Sequence, residues 1–284
     1  MLGIGLEANI AKRQRFWVVL SKILIWVVGV LWLLPIVWMI STSLKPETMI
    51  VTKIPQWIPR VVTIENYRTA MEKASIFRWL MNSTLIAVVT TVLVLLIDAM
   101  AAYAFARLNF FGRDVLFATM LATLMVPGQV TIIPLYLFFN DLELLDTYPA
   151  VILPRIAAAI GVFMLRQFFL SIPGELEEAA RIDGCSRYGI FWRIILPLAR
   201  PSLAALAIFT LVWSWNDFMW PLIALPSKEM YTLPVGISTL VGYYGRDWGM
   251  QMASAFLASA PVLILFLLFQ REFIKGIAMT GLKG

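Results

Sequence analysis

Six apolar segments, each close to the length of a membrane-spanning helix, constrain the fold of this 284-residue chain. An α-helix needs about 20 consecutive apolar residues to cross the hydrocarbon core of a bilayer. The chain is 61% hydrophobic and 14% charged, whereas soluble domains carry about 25% charged residues. The predicted spans are residues 16–41, 83–105, 116–138, 150–169, 203–225 and 253–273. This pattern predicts an all-α membrane protein that forms a single domain over residues 1–284.

The chain supplies few groups for catalysis or metal binding. It contains no histidine and a single cysteine, Cys185, so the commonest general base and any intrachain disulfide are excluded. The sequence contains no evident nucleophile–base pair or cluster of metal ligands, which makes a membrane enzyme the least favoured class. The net charge of +6 is spread over the loops. A nucleic-acid-binding surface would concentrate that charge in a stripe, so no nucleic-acid partner is expected.

Lysine and arginine in the short loops predict the orientation, because cytoplasmic loops of membrane proteins are enriched in both. With six spans, four basic segments fall on one side of the membrane. They contain Lys12, Arg13 and Arg15; Arg107 and Arg113; Arg181, Arg187, Arg193 and Arg200; and Arg271, Lys275 and Lys283. Both termini are therefore predicted to be cytoplasmic, with external loops at about 43–81 and 226–250. The first external loop is itself basic and departs from the rule.

A charged segment at about residues 171–200, here called the docking block, separates the fourth and fifth predicted spans. Three glutamates are predicted to lie in the first turn of a helix, where the dipole favours negative charge. Gly184 is placed to end that helix in a left-handed turn, and Ser186 to cap a second short helix. The apolar residues predicted to share one face of the second helix are Tyr188, Phe191, Ile194 and Ile195. The residues alone favour equally a helix on the membrane surface and a docking element for a partner.

The docking block also carries a motif: Glu-Ala-Ala, three residues, Gly, nine residues, then Ile-x-Leu-Pro. This motif resembles the coupling helix of permease subunits of bacterial ABC importers and matches it without a departure. The matching positions are Glu178, Ala179, Ala180, Gly184, Ile194, Leu196 and Pro197. The resemblance implies a cytoplasmic coupling-helix loop that docks on an ATPase subunit, with Arg181 and Asp183 adding charged contacts. It also implies a multi-pass protein of the bacterial cytoplasmic (inner) membrane.

Two further segments narrow the resemblance to carbohydrate importers. Residues 213–221, Trp-Ser-Trp-Asn-Asp-Phe-Met-Trp-Pro, are similar to the fifth helix of the smaller permease of the maltose type. The last residues resemble the short tail that such subunits insert between two ATPase subunits. The tail positions implied are Gly281, Lys283 and Gly284.

Polar and aromatic residues within the spans have two interpretations. Charges are costly in hydrocarbon, so they usually face the bundle interior or water. The residues of the fifth span that would line a sugar path, or else pack between helices, are Trp213, Trp215, Asn216, Asp217 and Trp220. Asp98 is interpreted as structural rather than as a proton relay. Arg155 and Arg166, near opposite ends of the fourth span, are expected to extend to the interfaces.

The resemblance also implies partners. The chain has no Gly-x-x-x-x-Gly-Lys-Ser/Thr phosphate loop, so it is expected to hold no cofactor, with ATP and Mg²⁺ in two ATP-binding subunits. The other implied partners are a second, different permease, an extracytoplasmic sugar-binding protein and membrane lipid. The implied contacts to the binding protein are Tyr231, Tyr243 and Tyr244, although a plain connector is also consistent with that loop.

Two alternatives remain at this point. One is an ABC permease for a non-sugar solute, and the other is a self-powered secondary transporter. The latter needs titratable residues in its core, for which the spans offer only Asp98 and Asp217, and it leaves the docking block unexplained. The favoured hypothesis is a non-catalytic translocation subunit that imports sugar by alternating access.

Overall fold

The computed structural model describes residues 2–243 and 247–281. Within them the fold is all-α, as predicted, and contains no β-strand. The α-helices are α1 (Leu2–Ser43), α2 (Glu65–Lys73), α3 (Ile76–Arg107), α4 (Arg113–Ala122), α5 (Gly128–Asp141), α6 (Tyr148–Ile152), α7 (Ala159–Ser171), α8 (Glu175–Ile182), α9 (Arg187–Ile190), α10 (Leu196–Leu198), α11 (Arg200–Trp215), α12 (Met219–Ala224), α13 (Leu233–Tyr243) and α14 (Trp248–Gly281). Short 3₁₀ turns occupy Glu47–Met49, Thr123–Met125 and Leu153–Arg155, and a π-helix occupies Phe191–Ile195.

Three helical segments among the described residues are long and apolar enough to cross a membrane without a break: Trp17–Ser43, Ile76–Arg107 and Trp248–Gln270. Three further pairs of helices reach spanning length only together, and each pair is bent. The pairs are Arg113–Met125 with Gly128–Asp141 (101°), Tyr148–Arg155 with Ala159–Ser171 (42°), and Arg187–Leu198 with Arg200–Trp215 (76°). The described residues therefore contain three candidate spans, or up to six if each bent pair is one span.

Two of the three bends lie where the backbone leaves the helical region. Val126, which precedes Pro127, has φ −84° and ψ 117°. The proline ring disfavours the helical conformation of the residue before it, so the third predicted span breaks there. The fourth predicted span breaks at Ala158, which has φ −107° and ψ 110°. The fifth, predicted as 203–225, is not one helix, because α11 ends at Trp215 and α12 begins at Met219.

Two predicted loops contain more helix than expected. The second span was placed at 83–105, but α3 begins at Ile76, and Trp79 within it is fully buried. The Trp79 Nε1–H donates to the Lys228 carbonyl at 2.8 Å, so this indole is held inside the protein rather than at an interface. The predicted external loop 226–250 contains α13 and the first turn of α14.

The described residues form two compact units, one made of residues 2–73 and 247–256 and the other of residues 74–243 and 257–281. In the first unit, the Asn66 side-chain amide donates to the Ser43 and Lys45 carbonyls at 2.8 and 2.7 Å. The Lys45 ammonium is buried, donates to the Gln56 carbonyl and lies 4.6 Å from the centre of the Trp38 ring. Burial lowers the pKa of Lys45. The single domain over 1–284 remains a prediction.

The second unit is built around α3, which packs against α7, α11 and α13. Its larger core cluster joins α3 and α7 to the docking block. The buried members include Tyr103, Phe169, Ala180, Ile190 and Phe191. A second cluster, which contains Trp220, holds α6 and α12 together with α3. The docking block is therefore part of the packed core and not a separate appendage.

Candidate functional site

The docking block folds as two short helices joined by a left-handed turn. Gly184 has φ +81°, so the predicted turn is confirmed. The Cys185 N–H donates to the Ala180 carbonyl at 2.9 Å and the Gly184 N–H to the Arg181 carbonyl at 3.0 Å. This pair of bonds is the Schellman arrangement, which satisfies the last carbonyls of α8. At the other end, three glutamates lie in the first turn of α8, as predicted.

The second helix of the block is capped as predicted, and its buried face agrees with the prediction except at Tyr188. The Ser186 hydroxyl accepts a hydrogen bond from the Gly189 N–H at 3.2 Å, which confirms the cap. Of the predicted apolar face, Phe191 and Ile195 are buried and Ile194 is partly buried. Tyr188 departs from the prediction at 79% exposed, and Ile190, which was not assigned to the face, is fully buried. The segment that follows is a π-helix, whose wider turn shifts the side-chain register from the α-helical spacing assumed.

The exposed surface of the block is centred on the Gly184 turn. The exposed motif residues are Glu178, Ala179, Arg181, Asp183 and Gly184. Ala180 is buried beneath them, and Ile194, Leu196 and Pro197 are partly buried. Two large apolar side chains, Ile182 (86% exposed) and Tyr188, flank the turn. Exposed apolar groups bordered by charges of both signs are typical of a surface that a protein partner covers. The sequence did not single out Ile182 or Tyr188 for this surface.

Sequence reasoning placed Glu177 in the first turn of α8 but missed its buried ion pair. Its side chain is only 5% exposed and lies 2.9 Å from Arg107, measured from Oε1 to Nε. The Nε–H is not aimed at Oε1, so this contact is an ion pair and not an aligned hydrogen bond. The Tyr103 hydroxyl donates to Oε2 at 3.4 Å, and the Arg181 guanidinium lies 3.9 Å from the same oxygen. The one available signal was the helical spacing that places Glu177 on the same face as buried Ala180.

Two of the predicted pathway residues meet beside an arginine. Arg155 donates to the Asp217 carboxylate at 2.9 Å, and its guanidinium lies 4.4 Å from the centre of the Trp213 ring. Trp213 and Asn216 are exposed in the subunit. The Asn216 amide donates to the Val212 carbonyl at 2.7 Å, one turn back. The Arg155–Asp217 ion pair and the Trp213 ring thus form one patch, which lies beside the breaks in the helices at 156–158 and 216–218.

The other two tryptophans of the predicted pathway are packed inside the subunit. The Trp220 Nε1–H donates to the Ala150 carbonyl at 2.9 Å, and the Trp215 Nε1–H to the Ala258 carbonyl at 3.3 Å. Both side chains are buried. Of the two interpretations of this segment, packing between helices fits Trp215 and Trp220, whereas a pathway role is still open for Trp213, Asn216 and Asp217.

Arg155 and Arg166, for which extension to the membrane interfaces was predicted, both contact protein groups, and that extension stays a prediction. Arg155 is bound to Asp217. The Arg166 Nε–H donates to the Phe105 carbonyl at 3.3 Å, and its guanidinium lies 4.2 Å from the centre of the Phe117 ring. Both guanidinium groups therefore have protein contacts, and the buried Arg155 Nε–H has no hydrogen-bond partner among the described residues.

The segment after α12 is held by side chains of other elements. The Asn82 amide donates to the Glu229 and Tyr231 carbonyls, both at 2.9 Å, and the Ser227 N–H donates to Asp146 at 3.1 Å. Tyr231 is partly buried, with its ring 6.2 Å from that of Trp79. The Tyr243 side chain and Tyr244 lie outside the described residues, as do Lys283 and Gly284; Gly281 is the last residue of α14. The part of the chain that is described contains no group of His, Cys, Asp or Glu suited to a metal ion.

The described residues are all-helical and contain several apolar helices of spanning length, which is the architecture of a multi-pass membrane protein. Residues 98–275 match the family described as the binding-protein-dependent transport system inner membrane component, and the chain belongs to that family. It is therefore a multi-pass permease of a transport system that depends on a binding protein, not an enzyme.

Known relatives support this assignment. The chain is 42% identical over 253 residues to the arabinooligosaccharides transport system permease protein AraQ of Halalkalibacterium halodurans, covering 88% of this chain and 91% of that protein. It is 36% identical over 278 residues to the trehalose transport system permease protein SugB of Mycobacterium tuberculosis, covering 96% and 99%. A bacterial ABC transporter involved in alginate import has the same fold, with a TM-score of 0.83, 23% identity and coverage of 91% and 97%.

Proposed function

We propose that this chain is the translocation subunit of an ATP-driven importer of sugars or oligosaccharides. In this proposal six spans, with both termini in the cytoplasm, pass sugar from an extracytoplasmic binding protein to the cytoplasm by alternating access. Two ATP-binding subunits hold ATP and Mg²⁺, and a second, different permease completes the membrane core. The two relatives described above are named for the transport of arabinooligosaccharides and of trehalose, which supports a carbohydrate cargo.

The exposed turn at Gly184 is the observation that carries the coupling part of the proposal. Its left-handed backbone and Schellman bonds hold the surface of α8 in one conformation. A rigid surface binds a partner without the entropic cost of ordering a loop. Glu178, Arg181 and Asp183 offer charges to an ATP-binding subunit, and Ile182 and Tyr188 offer apolar area. Closure of the ATP-binding subunits would then move the block and the core packed on it.

Co-purification tests the proposed assembly. The tagged subunit is isolated from its native membrane in mild detergent, and the proteins that accompany it are identified by mass spectrometry. We expect an ATP-binding subunit and a second permease in constant ratio to the tagged chain. A subunit that purifies alone and transports solute with a proton or sodium gradient would instead support the secondary transporter. ATP-dependent uptake that sugars do not compete with would support a non-sugar ABC permease.

The substrate part of the proposal concerns the patch of Trp213, Asn216 and Asp217. An exposed indole face stacks on the C–H surface of a sugar ring, and an amide binds hydroxyls. Charged side chains in spans usually face water or the bundle interior rather than lipid. The Arg155–Asp217 pair, 30% and 13% exposed, therefore favours a water-filled path or a permease partner on this side. In the path, the pair would hold Trp213 in place.

We predict that Asp217→Asn lowers sugar uptake about tenfold while the subunit still assembles. Asparagine keeps the shape but leaves Arg155 without its counter-charge, and losing about 1.4 kcal/mol of interaction corresponds to a factor of ten. Uptake of labelled sugar is measured per assembled complex. The control is Asp114→Asn, which removes an equally short Arg–Asp contact, 2.9 Å from Arg113, at an exposed position. Exposed pairs contribute about 0–1 kcal/mol, so equal losses in both variants would contradict the prediction.

A further inference from the structure

We propose that Arg107 and Glu177 are positioning residues that transmit movement of the docking block to α3. This inference rests on the proposed function, because it assumes that an ATP-binding subunit moves α8. Glu177 lies in the first turn of α8, and Arg107 is the last residue of α3, 70 positions earlier. Their 2.9 Å ion pair joins the docking block directly to the longest unbroken helix of the second unit.

The Arg107 guanidinium binds a third element as well. Its Nη2 donates to the Phe169 carbonyl at 2.6 Å and to the Ile172 carbonyl. These carbonyls lie at the end of α7, where the last C=O groups of a helix have no partner within the helix. A cation at a helix C-terminus is also favoured by the helix dipole. One side chain therefore ties the end of α3 and the end of α7 to the start of α8.

Burial makes this connection stiff. The side chains of Arg107 and Glu177 are 16% and 5% exposed. Separating two such charges without supplying water or another partner is costly, because each would remain buried and uncompensated. Tyr103 packs between the elements, with its ring 5.2 Å from that of Phe191 and 6.5 Å from that of Phe169. A displacement of α8 is therefore easier with α3 and the end of α7 than away from them.

The other end of α3 contacts the segment that follows α12, so movement of α3 would reach that segment. At about 1.5 Å per residue, the 32 residues of α3 extend about 48 Å from Arg107 to its first turns. There the Arg78 Nε–H donates to the Glu229 carbonyl at 2.9 Å, beside the bonds from Trp79 and Asn82 to the same segment. That segment begins the loop predicted to contact the binding protein. Unlike the three bent pairs, α3 has no break at which movement could be absorbed.

The test measures how much sugar is delivered per ATP hydrolysed. The complete transporter, with its binding protein, is reconstituted in liposomes, and sugar uptake and ATP hydrolysis are measured on the same sample. For Glu177→Gln we expect this ratio to fall about tenfold. The matched control is Glu175→Gln, which removes the same charge from the same turn of α8 at an exposed position, and it should keep the wild-type ratio. If the Arg107–Glu177 pair only stabilises the fold, Glu177→Gln would lower uptake and hydrolysis together. The ratio of sugar delivered to ATP hydrolysed would then be unchanged, which would overturn the proposal.

A chemical link provides a second measurement if Glu177→Gln does not assemble. Cysteines replace Arg107 and Glu177 in a Cys185→Ser background, and a short bifunctional thiol reagent joins them. We expect the ratio to be low before linking and to recover afterwards, and a ratio unaffected by the link would overturn the proposal. Glu178→Lys, on the exposed side of α8, tests docking itself. If Glu178→Lys stops uptake while Glu177→Gln keeps the ratio, this inference alone fails. If Glu178→Lys transports normally, the proposed coupling fails.

Discussion

Gly184→Asp is expected to abolish sugar uptake while the subunit still inserts in the membrane. Gly184 has φ +81°, and a left-handed backbone costs an ordinary L-residue about 1–2 kcal/mol. A β-carbon at this position would meet nothing of the chain itself within 4 Å. The subunit can therefore fold with the new side chain. The larger effect is expected on binding of the ATP-binding subunit, because a carboxylate would project from a turn that carries no side chain in the wild type.

Two variants separate the partner effect from the backbone effect. Gly112 has φ +77° and equally open surroundings, so Gly112→Asp adds the same strain and charge outside the docking block and should retain uptake. Gly184→Asn has the size of aspartate without its charge and tolerates positive φ, so it should retain part of the activity. Uptake of labelled sugar is measured together with the ATP-binding subunit recovered on purification. Normal uptake by Gly184→Asp would count against docking at this turn.

Local rules explain what the sequence predicted correctly. A backbone in lipid must satisfy its hydrogen bonds internally, so apolar segments of spanning length predict helices well. The left-handed turn at Gly184 and the cap at Ser186 depend on residues within a few positions of each other. Both features could therefore be found without knowing the fold. The breaks at 156–158 and 216–218 were missed because an apolar average over about 20 residues does not register a short change of backbone direction.

Contacts between distant positions explain what the sequence left open. Glu177 meets Arg107 from 70 positions away, and Arg155 meets Asp217 from 62 positions away. No local pattern indicates which charge will meet which partner, so Arg155 was expected at an interface instead. Tyr188 was assigned to the buried face from α-helical spacing, but it is exposed in α9, just before the π-helix that begins at Phe191. The motif thus located the docking block, and the fold determined which of its side chains face outward.

The second large effect is expected at the crossing of α3, α7 and α11. A β-carbon on Gly161 would lie 2.1 Å from Asp98 Oδ2 and 3.2 Å from Leu206 Cδ1. Asp98 is fully buried, and its Oδ1 accepts a hydrogen bond from the Ala158 N–H at 3.1 Å, at the start of α7. The aspartate therefore caps α7 at the break in the fourth predicted span. This contact fits the structural role predicted for Asp98 better than a proton relay.

Gly161→Ala should strongly destabilise the subunit, because the added methyl group must displace the buried Asp98 side chain. Overpacking a core costs about 1–3 kcal/mol, and displacing Asp98 would also remove its bond to Ala158, so we expect a loss of at least about 3 kcal/mol. The measurement is the midpoint of thermal unfolding of the purified complex in detergent. Gly128→Ala is the control, because Gly128, like Gly161, lies in the first turn of the second half of a bent pair but has nothing within 4 Å of its β-carbon position. In that variant alanine should be neutral or slightly stabilising, since glycine is the poorer helix former.

Asp98→Ser combined with Gly161→Ala shortens the obstructing side chain and should recover part of the lost unfolding midpoint. Equal midpoints for Gly161→Ala and Gly128→Ala would contradict the prediction, because they would show that a methyl group fits between α3, α7 and α11.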